Sequence, residues 1–380
     1  MIESDSRKII TLSNLTLLIA FILFLSCVFV TLCITKAFGP FTALTTLTLS
    51  TILQEAFALI LPVILFVKKQ HFEFARFLRL KPVKLGITVR IFFLAASGYL
   101  FITCFIVLWN LAFGTHFLFT KTIQDYIPND FFGVMGIILN VAFISAIAEE
   151  FLFRGVLLRG LEPLGKFWAI VLSAFAFAVF HISFYKLGYA FVLGIFIGYL
   201  AVITDNILYA IIYHCLHNIF SSFIDISYLI SNAASSLDKS TILFVYIIGL
   251  IIASLFMVTI FISIKEAIKK QRENEYIRKE ELEKKLKSIN ELKNISNDLI
   301  VEERKEQQTK KPQEIEELLE TQTQNEMKSY ELTELLYLRD IFDNKEYLRL
   351  PKVKFYLKDM FFYIAYSVLA TCIIIFGMIS

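Results

Sequence analysis

Nine apolar runs dominate this chain, most of them close to the roughly 20 residues that a helix needs to cross a bilayer. They lie at about 15–35, 44–67, 85–109, 132–158, 167–184, 188–204, 207–226, 242–264 and 360–378. The predicted fold class is all-α, a polytopic membrane helix bundle of eight core helices plus a ninth, C-terminal span. Composition agrees: 57% of the 380 residues are hydrophobic and 39 are Phe, whereas 19% are charged. A soluble domain would be about one quarter charged. The first run is too long for a signal-peptide core and no small-x-small cleavage site follows it, so it reads as a retained helix. The sixth run is short and tightly joined to the seventh.

Cys27, Cys33, Cys104, Cys215 and Cys372 all lie in apolar runs and form no Cys-x-x-Cys pair. Neither a disulfide framework nor a thiolate metal site is therefore expected. The net charge of +3 gives no reason to expect a nucleic-acid partner.

Short-loop Lys and Arg set the expected orientation. Lys68, Lys69, Arg76, Arg79, Lys81 and Lys84 follow the second run; Arg154, Arg159 and Lys166 mark the end of the fourth; Lys265, Lys269, Lys270 and Arg272 follow the eighth. The loop after the third run has only Lys121. All the strongly basic ends share one side if the N-terminus is cytoplasmic, with Lys186 and Lys239 as minor exceptions. The chain then reads as an integral protein of a bacterial cytoplasmic membrane. The stretch HFEFARFLRLKPVK before the third run is either a surface-lying interfacial segment or a basic loop anchoring two helices.

Three regions are expected: a membrane core over 1–264, a charged cytoplasmic helical insertion over 265–358, and a C-terminal transmembrane helix over 359–380. In the insertion, Leu282, Leu286, Ile289 and Leu292 recur at helical spacing, so a helix should extend from the eighth span. Lys310, Lys311 and Pro312 should break it before a second helical stretch, EIEELLETQTQNEMKSYELTELLYL. The insertion is either a solvated helical appendage or a surface for a protein partner.

The candidate site lies at about 132–222, where AIAEEFLFRG places Glu149, Glu150 and Arg154 in an apolar run. An unpaired charge near the bilayer centre costs about 3 kcal/mol on insertion scales. Two further runs carry polar groups: FAVFH ends in His181, and HCLHN holds His214, His217 and Asn218. Glu150 and Arg154 are four apart and can pair on one face. Glu149 points about 100° away around the helix, towards a cavity shared with other helices. His214 and Asn218 also share a face, His217 is read as structural, and Phe177 sits one turn before His181. Gln54 and Glu55 in the second run either line the same cavity or pair elsewhere.

These are the parts for hydrolysis. Glu149 is the natural general base, His181 orients the water or exchanges its proton, and His214 with Asn218 can donate to an oxyanion. Arg154 holds Glu150 and fixes the helix. Two histidines and a glutamate could instead hold zinc, with His181 and His214 as ligands. No His-Glu-x-x-His occurs, and the expectation is a site without a cofactor, zinc being the alternative. Expected partners are a membrane-associated peptide or protein substrate and the lipid bilayer. Two other functions fit the same polar groups: a proton-coupled transporter, against which stands the lack of an obvious inverted repeat, and a non-catalytic membrane binding or immunity protein.

Glu149-Glu150-x-x-x-Arg154, Phe177-x-x-x-His181 and His214-x-x-x-Asn218, in this order in a polytopic chain, resemble the CPBP family. That family comprises type II CAAX prenyl endopeptidases and bacterial bacteriocin-processing and Abi-type proteins. The resemblance is specific from about Phe132 to Ser222. It implies an all-helical intramembrane protease in which Glu149 activates water, His181 belongs with that water, and His214 and Asn218 form the oxyanion site. The family has been described both as metal-dependent and as a metal-free glutamate system. Its eukaryotic members remove the last three residues of prenylated proteins, a substrate that does not carry over to bacterial relatives. The 265–358 region and the ninth span depart from the compact family core.

Overall fold

In the computed structural model, residues 2–39, 41–70, 72–113, 131–223, 238–306 and 357–379 are described. They are helical, with no strand among the described residues. The expectations for Lys121, for the break at Lys310–Pro312 and for the stretch after it lie outside the described residues. The chain divides into two compact units, Met1–Lys265 with Leu350–Ser380, and Glu266–Arg349.

The first unit holds α1 (Ile2–Phe38), α2 (43–69), the single turn α3 (Phe74–Phe77), α4 (Leu85–Phe113), α5 (131–161), α6 (Lys166–Phe180), α7 (Phe184–Thr204), α8 (Ile207–Phe223), the start of α9 (Lys239–Glu306), and α10 (Phe361–Ile379). Among the described residues six helices are long and apolar enough to cross a membrane: Ser6–Phe38, Leu44–Lys69, Leu85–Trp109, Phe131–Leu164, Lys186–Thr204 and Ser240–Lys284. The protein is thus an integral membrane protein built as an all-α bundle. The other three expected spans are helices of 15, 17 and 19 described residues, α6, α8 and α10.

Helix ends follow local chemistry. The fifth apolar run was expected to continue to Phe184, but α6 stops at Phe180 and His181 is its cap. Ile182 adopts a left-handed conformation, φ 49°, which a β-branched residue rarely accepts, and Ser183 then caps α7 by accepting from the Lys186 N–H. Asp205, also left-handed, closes α7 before α8 begins.

Two of the long helices are interrupted by wide, π-type turns. In α2 the segment Ile52–Ile60 is π-helical, and the Leu61 N–H reaches back five residues to the Ala56 carbonyl. Pro62 follows directly; it has no N–H to offer the turn before it, which favours the wider winding there. In α5, Ile138–Ile144 and Phe151–Leu157 are π-helical and bracket the regular turn Ser145–Glu150.

The basic stretch before α4 is an anchoring loop. Leu78 and Arg79 are buried. Arg79 forms a two-pronged pair with Glu162 at 3.1 and 2.7 Å and also meets Asp205. The Asn206 side chain donates to the Lys81 carbonyl at 2.9 Å, and the Lys84 N–H donates to the Tyr209 hydroxyl at 2.8 Å. The end of α5, the α7–α8 turn and this loop are thereby tied together at one end of the bundle.

α10 packs on α1 and α6. The Tyr363 hydroxyl donates to the Leu172 carbonyl at 2.7 Å, and the buried Tyr366 hydroxyl donates to the Ala176 carbonyl at 2.5 Å. Phe21 of α1 meets Tyr366 edge-on at 5.0 Å. At the start of α10, Asn14 donates to the Asp359 carbonyl. The five cysteines are free thiols.

In the second unit, the described residues continue helically through the 282–292 repeat to Glu306, with exposed i,i+4 pairs such as Lys269–Glu273 and Lys279–Glu283.

Tyr366 separates packing from hydrogen bonding at the α6–α10 contact. Tyr366→Phe should cost about 1 kcal/mol, because the Ala176 carbonyl keeps its helical partner. Tyr366→Ala should cost about 3–5 kcal/mol through the cavity it leaves. Thermal unfolding of the purified protein in detergent measures both.

Candidate active site

The site is organised around a buried ion pair. Glu150 and Arg154 are one turn apart on α5, and the Arg154 Nη1 donates to Glu150 Oε1 at 2.9 Å with both side chains fully buried. The second Arg154 nitrogen donates to the Gly194 carbonyl of α7 at 3.2 Å. α6 and α7 also approach closely here: a Cβ on Gly194 would sit 3.0 Å from the Cα and Cβ of Ala174 on α6. The guanidinium also lies 4.6 Å above the Phe177 ring. Arg154 therefore ties α5 to α6 and α7 at one point.

His214 of α8 completes the arrangement. Its Nδ1 lies 2.8 Å from Glu150 Oε1, the oxygen that Arg154 also contacts. An oxygen already accepting from a guanidinium accepts again here, so His214 Nδ1 carries the hydrogen. The other ring nitrogen, Nε2, then faces Glu149, 3.6 Å from its Oε2. That separation is too long for a direct hydrogen bond. The Glu149 side chain retains 18% exposure while Glu150 has none. The two adjacent acids therefore differ: Glu150 is closed within the ion pair, and Glu149 keeps a partly exposed side chain.

Phe177 links the helices. Its ring meets His181 edge-on at 4.9 Å and His214 at 5.8 Å. The His181 Nδ1 donates to the Phe177 carbonyl at 2.9 Å. A carbonyl can only accept, so in the neutral ring Nε2 keeps its lone pair. Asn218 lies one turn beyond His214; its Nδ2 donates to the Val141 carbonyl in the first π-type segment of α5 at 3.1 Å, leaving one amide hydrogen. His217 is on another side of α8, buried against Tyr213 and Tyr99. Glu55, in the π-type segment of α2, is buried next to Ser145 and close enough to Glu149 to interact with it electrostatically. The sequence leaves open whether Glu55 joins this cavity; its place there comes from the packing of α2 on α5.

Among the described residues no group of three His, Cys, Asp or Glu side chains converges as a ligand set. His214 and His181 each have Nδ1 held, by Glu150 and by the Phe177 carbonyl, an arrangement that leaves Nε2 of each ring outside these bonds. What the residues can do unaided is hold a water beside a carboxylate and supply N–H groups to a developing negative charge.

Removing one member of the buried pair should be worse than removing both. Arg154→Met leaves Glu150 as an uncompensated buried charge, at a cost of about 3–5 kcal/mol. The double variant Glu150→Gln/Arg154→Met should recover most of that loss in thermal unfolding.

Residues 131–220, under a quarter of the chain, match the family described as Type II CAAX prenyl endopeptidase Rce1-like. No curated protein and no solved structure matches the chain. The match contains every residue of the three motifs, from Glu149 to Asn218. Residues 131–220 are thus similar to an Rce1-like CAAX-protease-family domain, and this segment holds the buried His214–Glu150 contact and the approach of His214 to Glu149.

Proposed function

We propose that the protein is an intramembrane endopeptidase in which Glu149 activates water to cleave peptide bonds of membrane-associated proteins or peptides. The observation that carries this reading is the placement of His214 between two glutamates, bonded to the buried Glu150 at 2.8 Å and facing the more open Glu149 at 3.6 Å.

Glu149 takes a proton from a water held between it and His181. The water oxygen bonds to the scissile carbonyl carbon. The oxyanion is met by the free Asn218 N–H and by His214 when Nε2 also carries a proton, an arrangement steadied by the Glu150 carboxylate at Nδ1. A proton then passes to the leaving nitrogen, the C–N bond breaks, and acid and amine products separate. Glu150 and Arg154 are positioning residues that fix His214. No metal is required in this scheme.

The same reading places the N-terminus and residues 265–358 on the cytoplasmic side of a bacterial membrane. The tie between the basic loop, the end of α5 and the α7–α8 turn supports it, because the Lys- and Arg-rich loops then lie on one face. Residues 265–358 are the proposed surface for a protein partner.

Glu149→Gln removes the base at nearly constant size, so the fold should be kept while cleavage of a membrane-peptide library falls by about 10²–10⁴-fold. Cleavage that survives this substitution would overturn the assignment. Asn218→Ala should lower kcat by about 10²-fold with a smaller change in KM, as loss of an oxyanion donor does.

A further inference from the structure

The C-terminal helix takes no part in the scheme above, yet it bonds the helix that carries His181. Two hydroxyls of α10, three residues apart, reach two carbonyls of α6, four residues apart. Tyr363 donates to Leu172 at 2.7 Å and Tyr366 to Ala176 at 2.5 Å. Tyr366 is fully buried and Tyr363 nearly so. Positions 172, 176 and 180 recur at a spacing of four and so lie along one face of α6. Phe180 ends that face. Its ring is closed in by Phe21 and Phe24 of α1, with ring centres 5.5 and 4.8 Å away, by Phe153 of α5 at 5.4 Å and by Tyr366 itself at 6.5 Å. The start of α10 is anchored as well, because Asn14 of α1 donates to the Asp359 carbonyl at 3.2 Å.

These contacts end where the candidate site begins. Ala176 is followed by Phe177, and Phe180 by His181. The last carbonyls of a helix have no partner within it. At the end of α6 the His181 N–H turns to the Ala178 carbonyl, three residues back, and the Ile182 N–H turns to that of Val179. The Phe177 carbonyl is left to the His181 side chain, whose Nδ1 donates to it at 2.9 Å. The direction of the His181 ring is thus set by one backbone carbonyl. That carbonyl and the one Tyr366 holds belong to successive peptide planes joined at the Phe177 Cα, so displacing one displaces the other. The Phe177 ring moves with them, and it packs on His181 at 4.9 Å and on His214 at 5.8 Å.

We propose that Tyr366 of α10 is a positioning residue of the peptidase site, acting through the last turn of α6 to place the His181 ring beside the water that Glu149 activates. This rests on the peptidase reading given above. Tyr366 touches none of the reacting atoms; its hydroxyl fixes the backbone from which His181 is hung. Rate depends steeply on such placement, a misplacement of about 1 Å being worth about 10²-fold. The family match ends at residue 220, so a part of the chain outside it supplies this support.

Tyr366→Phe keeps the packed ring and removes the one hydroxyl, so it is the variant to compare with wild type. It should lower kcat by about 10-fold with KM nearly unchanged. Tyr363→Phe, whose bond lies one turn further from His181, should give a smaller loss of the same kind. An unchanged kcat in Tyr366→Phe, a loss confined to KM, or an equal loss in both variants overturns the proposal. A second readout needs no activity. In protein carrying ¹⁵N-labelled histidine, the His181 ring signals, assigned with His181→Gln, should shift in Tyr366→Phe, while those of His217 on α8 should stay in place. A His181 signal that does not move also overturns the proposal. Absence of cleavage by the wild-type protein would refute the peptidase reading, whereas the His181 signal would still decide whether Tyr366 sets that ring.

Discussion

The structure depends on how one buried guanidinium is satisfied. Arg154 bonds Glu150 on its own helix, the Gly194 carbonyl on α7 and the face of Phe177 on α6. A charge in this setting is tolerated only when every neighbour contributes. Its three contacts hold three helices in register around one point, and Glu150 passes that order to α8 through His214. The ion pair is weak evidence for stability. Its clearer consequence is orientation: it sets which nitrogen of His214 faces Glu149.

Helix irregularity supplies the remainder. The glutamates lie on a short regular turn between two π-type segments, and Glu55 lies in a third. Wide turns change the face on which a side chain emerges and commonly occur at functional sites. The first α5 segment also presents the Val141 carbonyl to Asn218. The strained backbone of Ile182 ends α6 immediately after His181, so that histidine occupies a helix end instead of a helix interior.

Much of this was legible in the sequence because it rests on local spacing. Glu150 and Arg154 four apart predict their pairing, and Phe177 and His181 four apart predict their contact; both occur. The all-α membrane class followed from hydropathy. Exact helix ends are less legible, because an apolar run carries no mark of where a left-handed residue will stop a helix, as Ile182 and Asp205 do. Nor could spacing reveal that the segment holding Glu55 packs against the Ser145–Glu150 turn, a contact between helices far apart in the chain. The basic loop looked equally suited to the membrane surface; the two carboxylates that hold Arg79 come from residues 162 and 205 and have no local signature.

The central claim is that this chain's own glutamates and histidines carry out the hydrolysis. The most direct measurement is the cleavage rate and metal content of one purified preparation, before and after exhaustive chelation. The account predicts an unchanged rate with metal far below one ion per chain. Loss of cleavage on stripping, restored in proportion to added zinc, would contradict it and make His181 and His214 metal ligands.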